Sequence, residues 1–184
     1  MTRPVVAQLL VVAATDRELT GAGRARTLAC GIGPVESAVR TAAALAQARP
    51  GRLLHVGIAG ARRGGEVGLL DIVVGSEAVY CDSELATPLA ADPELLRTVS
   101  GALPGVRVLP IGTSGRVGGA RATPIEAMEG YAVLRAAGLA GVPAVEVRVV
   151  SNEIEEADRS RWLFDEAFAR LEQATGVLVD ALGA

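Results

Sequence analysis

The 184-residue sequence predicts an α/β protein, a single domain built on a mixed β-sheet flanked by helices. Three observations carry this. Short Val, Ile and Leu runs alternate with Ala- and Leu-rich segments at helical spacing, and such β–α alternation implies a mostly parallel or mixed sheet covered by helices. Half the residues are hydrophobic (50%) but only 3% are aromatic, so aliphatic side chains must fill the core. Glycine clusters and polar residues follow several strand-like runs, at the carboxyl edge where open α/β sheets put their ligands.

Taken in order, Val5–Ala14 reads as a buried strand, ended by Thr15-Asp16-Arg17-Glu18. It is too short to span a membrane. Arg26–Cys30 is a short second strand running into Gly31-Ile32-Gly33. Pro34–Ala48 is a helix, with Pro in the first turn and apolar residues at helical spacing. Leu53–Ile58 is a strand entering a glycine-rich turn over residues 59–65, and Ile72–Tyr80 is another strand. Asp92-Pro93 opens a helix to about Leu103, Val106–Ile111 is a strand, and residues 112–124 read as a loop over a site. Ile125–Ala137 is expected to be helical, Val142–Val150 a strand entered through a Pro turn, and Ser160–Leu182 a long closing helix. No repeat or linker divides the chain.

Composition excludes several chemistries. Every basic residue is Arg, so a lysine Schiff base and a P-loop lysine are ruled out. A net charge of −3 and the lack of a basic run argue against nucleic acid. Cys30 and Cys81 lack metal-ligand spacing and read as reduced thiols of a cytoplasmic protein. Gly31 and Gly33 supply two glycines of a dinucleotide loop without the third.

The informative polar residues are few. Glu18 follows the first strand, and Glu129 stands beside Met128 near a helix start. Arg148, Ser151 and Asn152 sit at or beyond the end of a late strand, and Asn152 is the only Asn in the chain. If these strands are parallel neighbours, the groups converge on one rim. Each alone has a bland reading: a solvated loop charge for Glu18, a helix-start carboxylate for Glu129, a core residue for Met128. His55, a lone His in a strand, reads as structural.

Several segments, in order, resemble the purine nucleoside phosphorylase and methylthioadenosine/S-adenosylhomocysteine nucleosidase superfamily, and within it the futalosine hydrolases of menaquinone synthesis. They are Val12–Leu19, Gly31–Ala38, Val56–Ala61, Asp71–Asp82, Glu126–Gly130 and Arg148–Asn152. The resemblance implies the phosphorylase/hydrolase-like fold and a set of roles. Glu18 would activate the attacking water, and Arg148 would help hold it. Glu129 would take the ribose hydroxyls, with Met128 packed on the sugar and Gly60 approaching the nucleoside. Ser151 and Asn152 would form the leaving-base site.

The chemistry suits these residue types. N-glycosidic cleavage builds positive charge on the ribose and negative charge on the departing purine, so a carboxylate at the sugar is stabilising in the transition state. Adenine-specific relatives carry Asp where this chain has Asn152. The Asn side chain cannot transfer a proton, but its NH₂ can donate to O6 or N7 of a 6-oxopurine. The expected reaction is hydrolysis of futalosine to hypoxanthine and dehypoxanthinyl futalosine. The alternatives are a purine nucleoside phosphorylase, an adenine-type nucleosidase, or a degenerate nucleoside-binding protein. Phosphorylases place an Arg and a Ser at the positions of His55 and Ile58, and neither residue here suits phosphate. The partner is a purine nucleoside. No cofactor or metal, nucleic acid or membrane is implied, and a homo-oligomer is expected, a dimer by preference. Two departures stand out: a short interval between Glu18 and Gly31, and no evident base-stacking aromatic between Asp82 and Glu126. Arg116 and Arg121 in the 112–124 loop are candidates to meet a carboxylate on the 5′ group.

Overall fold

Strand β3 (Arg52–Ala61) is the hinge of the architecture, because three other strands and much of the site are organised around it. The computed structural model describes residues 8–120 and 122–183. The expected start of the first strand at Val5, and Arg121, lie outside that range. Strand β1 (Leu9–Ala13) pairs in parallel with β3 on one side and with β2 (Arg26–Ala29) on the other. Strand β4 (Ile72–Tyr80) carries the two-residue β5 (Leu89–Ala90) and pairs in parallel with β6 (Arg107–Thr113). β7 (Ile125–Ala127) joins β6 to β3, and β8 (Ala144–Glu153) joins β3 to β4. Strands β3, β7, β6, β4 and β8 therefore close a circuit within the eight-stranded mixed sheet.

Among the described residues four α-helices cover it: α1 (Pro34–Ala48), α2 (Pro93–Ala102), α3 (Gly130–Leu139) and α4 (Phe164–Ala181). The largest apolar cluster joins β1, β3 and β8 to α2 and α4 through Leu9, Val11, Leu54, Val147, Val99 and Leu171, all buried. A second lies under α1 and α3. As the composition requires, these clusters are almost wholly aliphatic.

Several elements differ from the sequence expectation. β3 runs on through Ala59-Gly60-Ala61, where a turn was expected, because β7 and β8 both supply ladder partners there. The register slips between Ala59 and Gly60, so the glycine marks a bulge, not the end of the strand. Ile125–Ala127 is a strand and not the first turn of a helix; α3 begins at Gly130. Ser151 and Asn152 lie within β8, not beyond it. Residues Asp16–Ala22 form a 3₁₀ helix where only a loop end was foreseen. The closing helix starts at Phe164, preceded by a three-residue 3₁₀ turn, Arg159–Arg161.

Candidate active site

β1, β3 and β8 are parallel neighbours, so their carboxyl ends share one rim, and the polar residues of the sequence meet there. Glu18 is carried in by the 3₁₀ helix that follows β1. Its Oε2 accepts from the Thr15 amide at 2.9 Å and the Thr15 hydroxyl at 2.8 Å, and its Oε1 accepts from the Ile58 amide at 3.3 Å. The Thr15–Glu18 pair is a capping box, so the same carboxylate starts the helix and faces the cavity. Far from being a solvated loop charge, Glu18 is buried.

Glu129 stands at the N-cap of α3. Its Oε1 accepts from the Gly33 amide at 3.0 Å, and its Oε2 lies 3.5 Å from Arg148 Nη2. Gly33 has a φ of +88°, in the left-handed region that glycine adopts without strain. The Gly31-Ile32-Gly33 turn thus serves to aim an N–H at Glu129. Burial pushes the Glu129 carboxyl above its ordinary range. Arg148 and the Gly33 N–H pull it back, while Glu18 and Glu146 add to the rise.

Arg148 is the centre of the cluster and is 1% exposed. Its Nε donates to Glu146 Oε1 at 2.7 Å, its Nη2 to His55 Nε2 at 2.6 Å, and its Nη1 to the Ile58 carbonyl at 3.4 Å. Burial alone would lower its pKa, but Glu146, Glu129 and Glu18 outweigh that and hold it above the ordinary value. A guanidinium only donates, so His55 must accept at Nε2 and carry its proton on Nδ1, which donates to the Val12 carbonyl at 3.0 Å. Burial, then Arg148, drives the His55 pKa well below 6.5, and the ring is neutral.

Two glycines make room for this packing. A Cβ on Gly57 would collide with Arg148 Nη1 and sit 2.9 Å from Glu18 Oε1. A Cβ on Gly130 would collide with the Glu146 carboxylate. His55 and Glu146 are register partners on β3 and β8, as are Gly57 and Arg148, so the strand pairing itself assembles the cluster.

Ser151 and Asn152 complete the rim. The Ser151 hydroxyl donates to Asn152 Oδ1 at 2.9 Å, and Asn152 Nδ2 donates to the Glu153 carbonyl at 2.9 Å. An amide NH₂ carries two donors, so one remains for a ligand. Glu126 takes the Gly118 and Ala120 amides, both at 2.6 Å, and ties the loop after β6 to the rim.

All seven residues singled out in the sequence, Glu18, Gly60, Met128, Glu129, Arg148, Ser151 and Asn152, line one cavity of about 360 Å³. Sequence reasoning missed three further features. Glu146 was not singled out, although a Glu and an Arg two apart in an apolar strand share one face. His55 was read as structural, but it bonds Arg148 directly. The wall of Trp162, Phe164 and Phe168 also lines the cavity. It was hidden because residues 160–182 read as a single helix. Among the described arginines outside the strands, Arg159 in the 3₁₀ turn reaches the lining and Arg116 does not.

Comparison with known proteins bears on this geometry. A stretch of 57 residues is 47% identical to futalosine hydrolase from Streptomyces coelicolor, covering 31% of this chain and 24% of that relative. The match thus spans about a quarter of the relative's length. No family model matches the chain. The fold extends much further than the sequence likeness. S-adenosylhomocysteine nucleosidase from Streptococcus pyogenes, solved with 5-methylthiotubericidin, superposes with a TM-score of 0.86 over 100% of both chains at 19% identity. A futalosine hydrolase mutant from Helicobacter pylori superposes with a TM-score of 0.79 over 96% of this chain and 97% of that one, at 17% identity. The chain therefore shares the fold of these two enzymes, the mixed sheet flanked by helices expected from its sequence.

Proposed function

We propose that the protein hydrolyses the N-glycosidic bond of a purine nucleoside, with a 6-oxopurine as leaving base and futalosine as the preferred substrate. The observation that carries this is the buried cluster of three carboxylates, Glu18, Glu129 and Glu146, around one guanidinium, Arg148, beside a neutral His55. Its excess negative charge favours a ribose ring that turns cationic as the bond breaks. Glu18 is the general base. A carboxylate offers about four acceptor sites, and three of those on Glu18 are taken by Thr15 and Ile58. The remaining site suits the attacking water. Glu129 accepts from the ribose hydroxyls, Met128 packs on the sugar, and Gly60 leaves space for it. The free N–H of Asn152 donates to O6 or N7 of the leaving purine, with Ser151 orienting the amide.

Water is preferred to phosphate as nucleophile because Arg148, the cation at the centre of the carboxylate cluster, is spent. Arg148 donates to Glu146, His55 and the Ile58 carbonyl and pairs with Glu129, and the surrounding carboxylates repel a phosphate dianion. The sequence likeness to a futalosine hydrolase supports the substrate and, through it, a place in menaquinone synthesis. Two free thiols, Cys30 and Cys81, fit a reducing cytoplasm. No helix among the described residues is long and apolar enough to cross a membrane.

The proposed assembly is a homodimer. Ile32, Val35, Val39 and Leu139 are each more than 60% exposed, and the last three border an apolar groove of about 430 Å³ between α1 and α3. Ile32 also lines the catalytic cavity, so a second copy on this face would shape the site. Sedimentation at micromolar concentration checks this: a Val39→Glu variant should run as a monomer.

The activity is tested by incubating the protein with futalosine, inosine and methylthioadenosine, with and without phosphate, and measuring the released base. Hypoxanthine release from futalosine without phosphate is expected. Release that requires phosphate, or no release from any nucleoside, overturns the reading.

A further inference from the structure

Glu18, Glu129 and Arg148 line the inner end of the cavity, and the exposed Arg159 its outer end. Behind the inner end lies Glu146, which is 1% exposed and does not line the cavity. Among the described residues its Oε1 bonds Arg148 alone, and its Oε2 has no hydrogen-bond partner. A buried carboxylate so poorly satisfied is costly, and an apolar side chain of similar volume would suit an interior strand better. Stability gives no reason for Glu146, but its placement does. Glu146 and Arg148 are two apart on β8, so they share a face, and His55 is the register partner of Glu146 on β3. Together they engage two edges of the guanidinium: Nε donates to Glu146 at 2.7 Å and Nη2 to His55 at 2.6 Å.

Against these short bonds, the contact of Arg148 with Glu129 is long, 3.5 Å from Nη2 to Oε2. Among the described residues only the Gly33 amide bonds Glu129, at Oε1. A carboxylate offers about four acceptor sites, so most of those on Glu129 are open. Glu18, by contrast, has three of its own taken by Thr15 and Ile58. An unrestrained guanidinium would turn its fork to the emptier carboxylate and form two parallel bonds of about 2.7–2.9 Å. We propose that His55 and Glu146 are positioning residues that hold Arg148 back from Glu129, which keeps the Glu129 oxygens open to the ribose hydroxyls. The charge of Arg148 still reaches Glu129 across the gap, but its N–H groups do not compete with the substrate. Gly57 completes the brace, because a Cβ there would collide with Arg148 Nη1 and push the guanidinium off β3.

The inference rests on the nucleosidase reading, with Glu129 as the ribose ligand, and is tested apart from it. The variants are Glu146→Leu and His55→Leu, each of which removes one acceptor from Arg148. In crystal structures of either, Arg148 Nη2 should close on Glu129 from 3.5 Å to about 2.8 Å. An unchanged gap overturns the inference. Binding is read by calorimetry with 9-deazainosine, whose carbon–carbon glycosidic bond is not hydrolysed, and with its 2′,3′-dideoxy analogue. Each Leu variant should lose about ten-fold in affinity for the ribose probe and stay within about two-fold for the dideoxy probe. Glu146→Gln, whose amide oxygen still accepts from Nε, should restore most of the loss. An equal loss on both probes marks a merely structural role and overturns the inference. If the wild-type chain binds the probes but releases no base from any nucleoside, the proposed hydrolysis fails and the binding contrast still decides the brace. If it binds neither probe, the nucleoside reading fails, and the Arg148–Glu129 distance in the variants decides the brace.

Discussion

The inner and outer ends of the cavity each present an arginine, and the two arginines are held in opposite ways. Arg148 projects from a central strand, is buried, and has its guanidinium divided among Glu146, Glu129, His55 and a carbonyl. Arg159 sits in a three-residue 3₁₀ turn, is exposed, and touches an aromatic face. In the interior a charge without its partners has no water to fall back on, so position is enforced by energy. At the mouth, water screens the charge, so Arg159 has no large stake in stability. Arg148 and its partners Glu146 and His55 are therefore held on β-strands, and Arg159 on a short turn.

The largest expected effect lies at the inner end. Glu18→Gln keeps shape and loses basicity, so kcat should fall about 10²–10⁴-fold while nucleoside binding survives. A variant that retains more than about a tenth of wild-type kcat removes Glu18 from the base role. Next comes stability. Arg148→Met strands three buried carboxylates and should cost about 3–5 kcal/mol in urea unfolding. Arg159→Gln should stay within about 0.5 kcal/mol of wild type. Similar midpoint shifts for the two would erase the contrast between the ends.

Asn152→Asp sharpens the comparison by placing a new charge at the rim. The Asp loses the donor to O6 or N7, and an oxygen replaces the NH₂ that now bonds the Glu153 carbonyl. Cleavage of a 6-oxopurine nucleoside should fall about 10²–10³-fold, more than that of its 6-amino analogue. An unchanged ratio of kcat/KM for the two would mean that Asn152 does not read position 6.

The smallest effect concerns His55 and pH. The unfolded chain takes up a proton on this His below about pH 6.5, whereas folded His55, with its pKa driven well lower, does not. The unfolded state then binds more protons, so stability falls as pH drops below about 6.5, by up to about 1.4 kcal/mol per pH unit. Glu129 acts oppositely. Its folded pKa is raised above 4.5, so the folded state takes up that proton first and gains stability as pH falls through the raised value. His55→Gln should remove the His contribution alone and flatten the curve between about pH 6.5 and 5. Parallel curves for variant and wild type would show that the ring is not held neutral.

Legibility in the sequence followed locality. Helix α1 was predicted with its observed limits because Pro34 and the apolar spacing are local signals. The residues of the rim were legible because short motifs in order resemble a known family, and the parallel pairing of β1, β3 and β8 then explains why they meet. What escaped depends on partners distant in the chain. His55 and Arg148 are 93 residues apart, and only strand register makes them neighbours. β7 is three residues long and exists because β3 and β6 flank it, so it carries no pattern of its own. The break before Phe164 has no capping side chain at Leu163 to announce it, and with it went the aromatic wall.

Closure of the strand circuit also bears on how the molecule meets its own kind. A sheet edge is a template on which foreign strands can grow, and natural proteins keep such edges short or charged. Here β3, β7, β6, β4 and β8 satisfy one another around the ring, so among the described residues only β2 and β5 end the sheet. One edge is four residues long and opens with an exposed Arg; the other is two residues long. Neither offers a run long enough to seed cross-strand stacking. Any lasting association between copies is left to side chains on helices, where fit can be selected, and the backbone is withheld from indiscriminate pairing.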